Sequence, residues 1–87
     1  MALDKLNSLA FLHFQLAQFQ QIDGQDVLRL SHAPYELRES LAIWLARNQH
    51  FAVQRDRKEV FVTRDGWEAF VTWTRETLRA QIERETH

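Results

Sequence analysis

The apolar residues of this chain change period twice, and that change restricts the folds open to it. Leu37, Leu41, Trp44 and Leu45 recur at the i, i+4, i+7, i+8 spacing of a helix with one buried face. From Phe51 the pattern shortens to alternation. Phe51-Ala52-Val53-Gln54-Arg55 and Glu59-Val60-Phe61-Val62-Thr63 flank the polar tip Asp56-Arg57-Lys58, which reads as an antiparallel hairpin. After Gly66 the helical period returns, with Trp67, Phe70, Val71, Thr74, Leu78 and Ile82 on one face. A helix from about Pro34 to His50, a hairpin and a helix from Trp67 to about Arg84 follow from these changes alone.

The N-terminal part is helical by pattern. Leu3 to Gln21 contains neither Gly nor Pro, and Leu3, Leu6, Ala10, His13, Phe14 and Ala17 share a face, with Leu9 and Leu16 beside it. Phe11, Leu12 and Phe19 fall outside that stripe, so the helix is apolar around most of its circumference. In so short a chain, such a helix is expected to be shared between two subunits. Asp23-Gly24 reads as its stop signal, and Gln25 to Leu30 as a short helical piece before Ser31-His32-Ala33-Pro34, where Pro34 suits the first turn of the next helix.

Eighty-seven residues make one domain, 1–87. With 45% hydrophobic and 26% charged residues the chain is expected to fold, and two Gly and one Pro are too few for an all-β protein. The expected fold class is therefore mainly α with a small β-hairpin (α+β). The absence of Cys excludes disulfides, thiolate metal sites and Cys nucleophiles. No signal peptide is evident and no apolar run approaches membrane-spanning length, so a cytoplasmic protein without a membrane partner is expected.

The order of helix, short helix, helix, hairpin and helix resembles a winged helix-turn-helix of the MarR/PadR-like kind over nearly the whole chain. Three stretches carry the resemblance. Leu41…Leu45…Phe51-Ala52-Val53 is similar to a recognition helix feeding a first wing strand. Val60-Phe61-Val62-Thr63-Arg64-Asp65-Gly66 is similar to a second wing strand that leads through Thr-x-x-Gly into the last helix. The apolar first and last helices resemble the N- and C-terminal dimerisation helices of such proteins. One departure is visible: the segment ahead of the Pro34 helix is short, which compresses the first helix of the helix-turn-helix.

The resemblance implies a small dimeric DNA-binding protein, a transcriptional regulator. The helix after Pro34 would present Tyr35 and Arg38 to base edges, and Arg can read guanine with two hydrogen bonds. Arg55, Arg57, Lys58 and Arg64 would position phosphates from the wing. Leu9, Leu12, Leu16, Phe19, Trp73 and Leu78 are the expected dimer contacts, with Trp44 and Trp67 in the core.

Charge leaves a second reading open. Net charge is −1, and Glu36 and Glu39 balance Arg38 and Arg47 on the would-be reading helix. A winged-helix module that binds another protein instead of DNA, as adaptor, assembly subunit or inhibitor, fits the same residues. A basic strip continuous across helix and wing would favour DNA, and a wing isolated by Glu36 and Glu39 would favour a protein.

An enzyme is not expected. His13, His32, His50 and His87 lack metal-ligand spacing, and no Gly-rich phosphate loop or nucleophile elbow exists. The expected catalytic residues, metals and cofactors are none.

Overall fold

A computed structural model describes residues 3–56 and 58–86. The elements run α1 (Leu3–Leu16), β1 (Gln20–Ile22), β2 (Gln25–Arg29), α2 (Tyr35–Arg47), β3 (Ala52–Arg55), β4 (Glu59–Thr63) and α3 (Arg64–Glu85). Single 3-10 turns occupy Leu30–His32 and Gln49–Phe51. The architecture is α+β: three helices on a four-stranded antiparallel sheet of order β1-β2-β4-β3.

Two expectations are corrected here. The first helix stops at Leu16 instead of reaching Gln21, and Gln25 to Arg29 is a strand instead of a helical piece. The cause is the Asp23-Gly24 pair. Asp23 has φ 53° and Gly24 φ 81°, and two consecutive positive φ values are what a two-residue hairpin turn requires. Ile22 consequently faces Gln25, and Gln21 faces Asp26, with Gln21 Nε2 donating to Asp26 Oδ1 at 3.3 Å. The small hairpin thus becomes a sheet of two hairpins, joined where β2 pairs with β4 through Leu28↔Val62.

The core lies between the sheet and the helices. Leu37, Leu41, Trp44 and Leu45 of α2 are all buried, as their spacing predicts, together with Val62 of β4, whereas its neighbour Phe61 is buried on the other face of the sheet, beside Arg29. Trp67, Phe70, Val71 and Thr74 supply the face of α3. Against it α1 lays Leu6 and Ala10, and the Trp67 indole N–H donates to the Ala10 carbonyl at 3.2 Å. Asn7 Nδ2 donates to Thr74 Oγ1 at 2.9 Å, so α1 and α3 run antiparallel.

α3 begins at Arg64, three residues earlier than the Trp67 that its apolar pattern marks. Thr63 is its N-cap, the hydroxyl accepting from the Gly66 N–H at 3.0 Å. Gly66 has no room for a side chain, since a Cβ there would sit 2.6 Å from Phe51 Cβ. Thr63→Ala removes the cap and is expected to cost about 1 kcal/mol. Thr63→Ser is expected to retain most of it, both read from urea unfolding curves. An alanine variant as stable as the parent would show that the cap is dispensable.

Among the described residues, no helix is long and apolar enough to cross a membrane.

Candidate nucleic-acid interface

A groove opens where the end of β2, the start of α2 and the β3–β4 tip meet. β2 ends in Arg29, and the chain turns through Leu30–His32 into α2. Arg38, one turn into α2, folds back on that connection: its Nη2 donates to the Ser31 carbonyl at 2.9 Å and the Ala33 carbonyl at 3.1 Å. Both carbonyls end a 3-10 turn and lack helical partners, so a guanidinium is well suited to satisfy them. Arg38 therefore sets the approach of α2 to the sheet.

Arg29 lies beside the hairpin because β2 pairs with β4 in the register Arg29↔Phe61. Its guanidinium carbon sits 5.6 Å from the Phe61 ring centroid, and its Nη2 lies 3.3 Å from Glu59 Oε1. Its Nε is buried and makes no hydrogen bond among the described residues. Lys58 is exposed at the hairpin tip and forms no ion pair among the described residues.

Arg29, Arg38 and Lys58 line one open groove of about 270 Å³ with Leu30, Ser31, Glu59 and Val60. Three cations thus stand against a single carboxylate. A second cleft of about 480 Å³ shares Leu30 and Val60 and continues between α2 and the hairpin, lined by Ala42, Leu45, Ala46, Gln49, Ala52 and Gln54. Neither lining includes Glu36 or Glu39, the acids of α2. The outcome is a track with a cationic end and a neutral, small-residue floor.

The sequence-proposed residues divide. Arg38 and Lys58 come together, and Arg29 joins them as a residue sequence reasoning missed. Tyr35 is 83% exposed on the first turn of α2, outside the groove lining. Arg55 is exposed on β3, opposite Glu59 in register. Arg64 is not brought to the groove: it sits at the other end of β4, with Nε 3.5 Å from Asp26 Oδ2 and its guanidinium 4.9 Å from the Phe19 ring centroid. Arg57 lies outside the described residues.

The proposed dimer residues divide too. Leu12, Leu16 and Trp73 are exposed, at 47%, 66% and 39%. Leu9 and Leu78 are half-buried. Phe19 follows the end of α1 and packs edge-on against Phe14 at 6.2 Å, beneath Arg64. No cluster of three or more potential metal ligands occurs among the described residues.

Comparison with protein families, with curated proteins and with solved structures finds no match for this chain.

Proposed function

We propose that this chain is a dimeric winged-helix DNA-binding protein that acts as a transcriptional regulator. The observation that carries the reading is the convergence of Arg38 from α2, Lys58 from the hairpin and Arg29 from β2 on one groove. Phosphate neutralisation supplies much of the affinity of such proteins, and it needs cations that a backbone can reach together. In this reading the 3-10 turn Leu30–His32 stands in for the first helix of the helix-turn-helix, α2 is the reading helix, and β3–β4 is the wing. Exclusion of Glu36 and Glu39 from the track favours the reading, because carboxylates facing phosphates would repel them.

Roles follow from the geometry. Arg29 and Lys58 hold phosphates. Arg38 fixes α2 against the turn and gives its remaining nitrogens to the groove. Gln49 and Gln54 edge the neutral floor, and glutamine can bond both edge atoms of an adenine. The dimer contact is drawn from the apolar side chains that the helices leave exposed.

The test is a titration of labelled duplex DNA, the chain's own upstream region included, at low and at raised salt. Tight binding that falls steeply as salt rises is expected. No binding at low salt would overturn the reading.

A second reading, a module that binds another protein, has its own observation: Phe11, Leu12 and Leu16 stand exposed on α1. Retention of DNA binding after these are replaced by polar residues would separate it from the first.

A further inference from the structure

One carboxylate stands among the cations of the groove, and its place in the sheet is specific. By alternation along the strands, Glu59 shares a face with Phe61, with Arg29 of β2 and with Arg55 of β3. Arg55 is directly across the hairpin from it, and Arg29 is diagonal to it on the other side. Glu59 therefore has an arginine within side-chain reach on each neighbouring strand. It takes one of them: Arg29 Nη2 lies 3.3 Å from Glu59 Oε1. Arg55 forms no ion pair among the described residues.

The arginine that Glu59 holds is poorly served there. The contact of 3.3 Å is longer than the roughly 2.8 Å of a well-formed charge-assisted hydrogen bond. The guanidinium carbon lies 5.6 Å from the Phe61 ring centroid, and in that position Nε is buried without an acceptor. A buried donor that has lost water and gained no acceptor disfavours the conformation that hides it. The pair is also exposed, its side chains 37% and 40% accessible, so water and salt weaken what holds it together. A better acceptor can take this arginine over. Phosphate is one, because two of its oxygens can accept in parallel from Nε and a terminal nitrogen.

We propose that the Glu59 carboxylate keeps a phosphate seat closed in the unbound chain. An arriving phosphate displaces Glu59 from Arg29. Arg29 then turns off Phe61 and offers Nε and a terminal nitrogen to two phosphate oxygens, while Glu59 passes to Arg55. Lys58 and Arg38 complete the positive charge around the seat. The inference rests on the DNA reading above, in which the phosphate is a backbone diester, and adds the step that opens the groove. It also gives Arg55, which lies outside the groove lining, a part as receiver of the displaced acid.

Inorganic pyrophosphate is the probe, so the test does not require DNA to bind. Binding is followed by NMR on the full chain, at the Arg29 Nε–H resonance, which is assigned by its loss in Arg29→Lys. In the parent that resonance is expected to shift as pyrophosphate is added. In Glu59→Gln it is expected to be displaced before any anion is present, and pyrophosphate to bind about fivefold more tightly. Glu39→Gln removes an acid of α2 outside the groove lining and is expected to change affinity by less than about twofold. Arg55→Gln separates a latch from simple charge. It is expected to weaken binding in the parent and to have little effect in Glu59→Gln, whereas independent charges would give the same loss in both. Equal affinity of parent and Glu59→Gln, an equal gain from Glu39→Gln, an equal loss from Arg55→Gln in both backgrounds, or an unmoved Arg29 resonance would each overturn the proposal. The duplex titration is read separately: the expected pyrophosphate results in a chain that does not bind duplex would support the phosphate seat and remove the DNA reading.

Discussion

Trp67→Ala is expected to remove about 3–5 kcal/mol of folding stability, most of what a domain of this size holds. The indole is fully buried at the centre of the α1–α3 contact, edge-on to Phe70 at 6.4 Å. Alanine leaves a large void there, because the sheet fixes the start of α3 through Thr63 and the neighbours cannot close in. It also removes the N–H that binds the Ala10 carbonyl, the polar link between the two helices. In thermal unfolding the expected fall in midpoint is about 15 °C or more. Trp67→Phe retains most of the volume but not the donor, and is expected to fall between parent and alanine. An alanine variant within about 1 kcal/mol of the parent would contradict this account of the core, since that is the ordinary cost of a typical point mutation.

The parts of the fold that the sequence makes legible are those where period and burial agree. The α2 face of Leu37, Leu41, Trp44 and Leu45 is buried as spaced, and the alternation at Phe51–Arg55 and Glu59–Thr63 gives the second hairpin, except that Phe51 closes a 3-10 turn and the strand begins at Ala52. The first hairpin is harder to see. Its strands contain Gln20, Gln21, Gln25 and Asp26, residues of low strand propensity, and they pair because Val27 and Leu28 find β4. Asp23-Gly24 suits a helix end and a hairpin turn equally well from sequence, and the backbone takes the second. The apolar residues that run around most of the circumference of α1 leave Leu12 and Leu16 exposed.

The groove is legible in part for the same reason. Arg38 and Lys58 stand out by their place at a helix start and a hairpin tip. Arg29 does not, because its position depends on the β2–β4 register, and a helical reading of Gln25 to Leu30 hides it. Arg64 stands near the hairpin charges in sequence, yet a full strand separates it from Lys58 in space. Its partners, Asp26 and Phe19, come from the first hairpin and its approach.

That separation provides a control for the claim that matters most, contact of the groove with the phosphate backbone. Arg29→Gln/Lys58→Gln removes two cations of the groove in each subunit, and glutamine keeps part of the stem that Arg29 lays over Phe61. Arg64→Gln removes one cation at the far end of β4. Each phosphate contact contributes roughly 0.9 to the dependence of log K on log salt. For a dimer, the double variant is therefore expected to reduce that slope by about 4 and to weaken binding at low salt across all duplex sequences. Arg64→Gln is expected to change the slope by less than about 1. The measurement is the affinity of parent, double variant and Arg64→Gln for one duplex at several salt concentrations. A slope that drops only in the double variant is the expected result. Equal slopes in parent and double variant, or a larger loss in Arg64→Gln, would contradict the groove as the DNA contact.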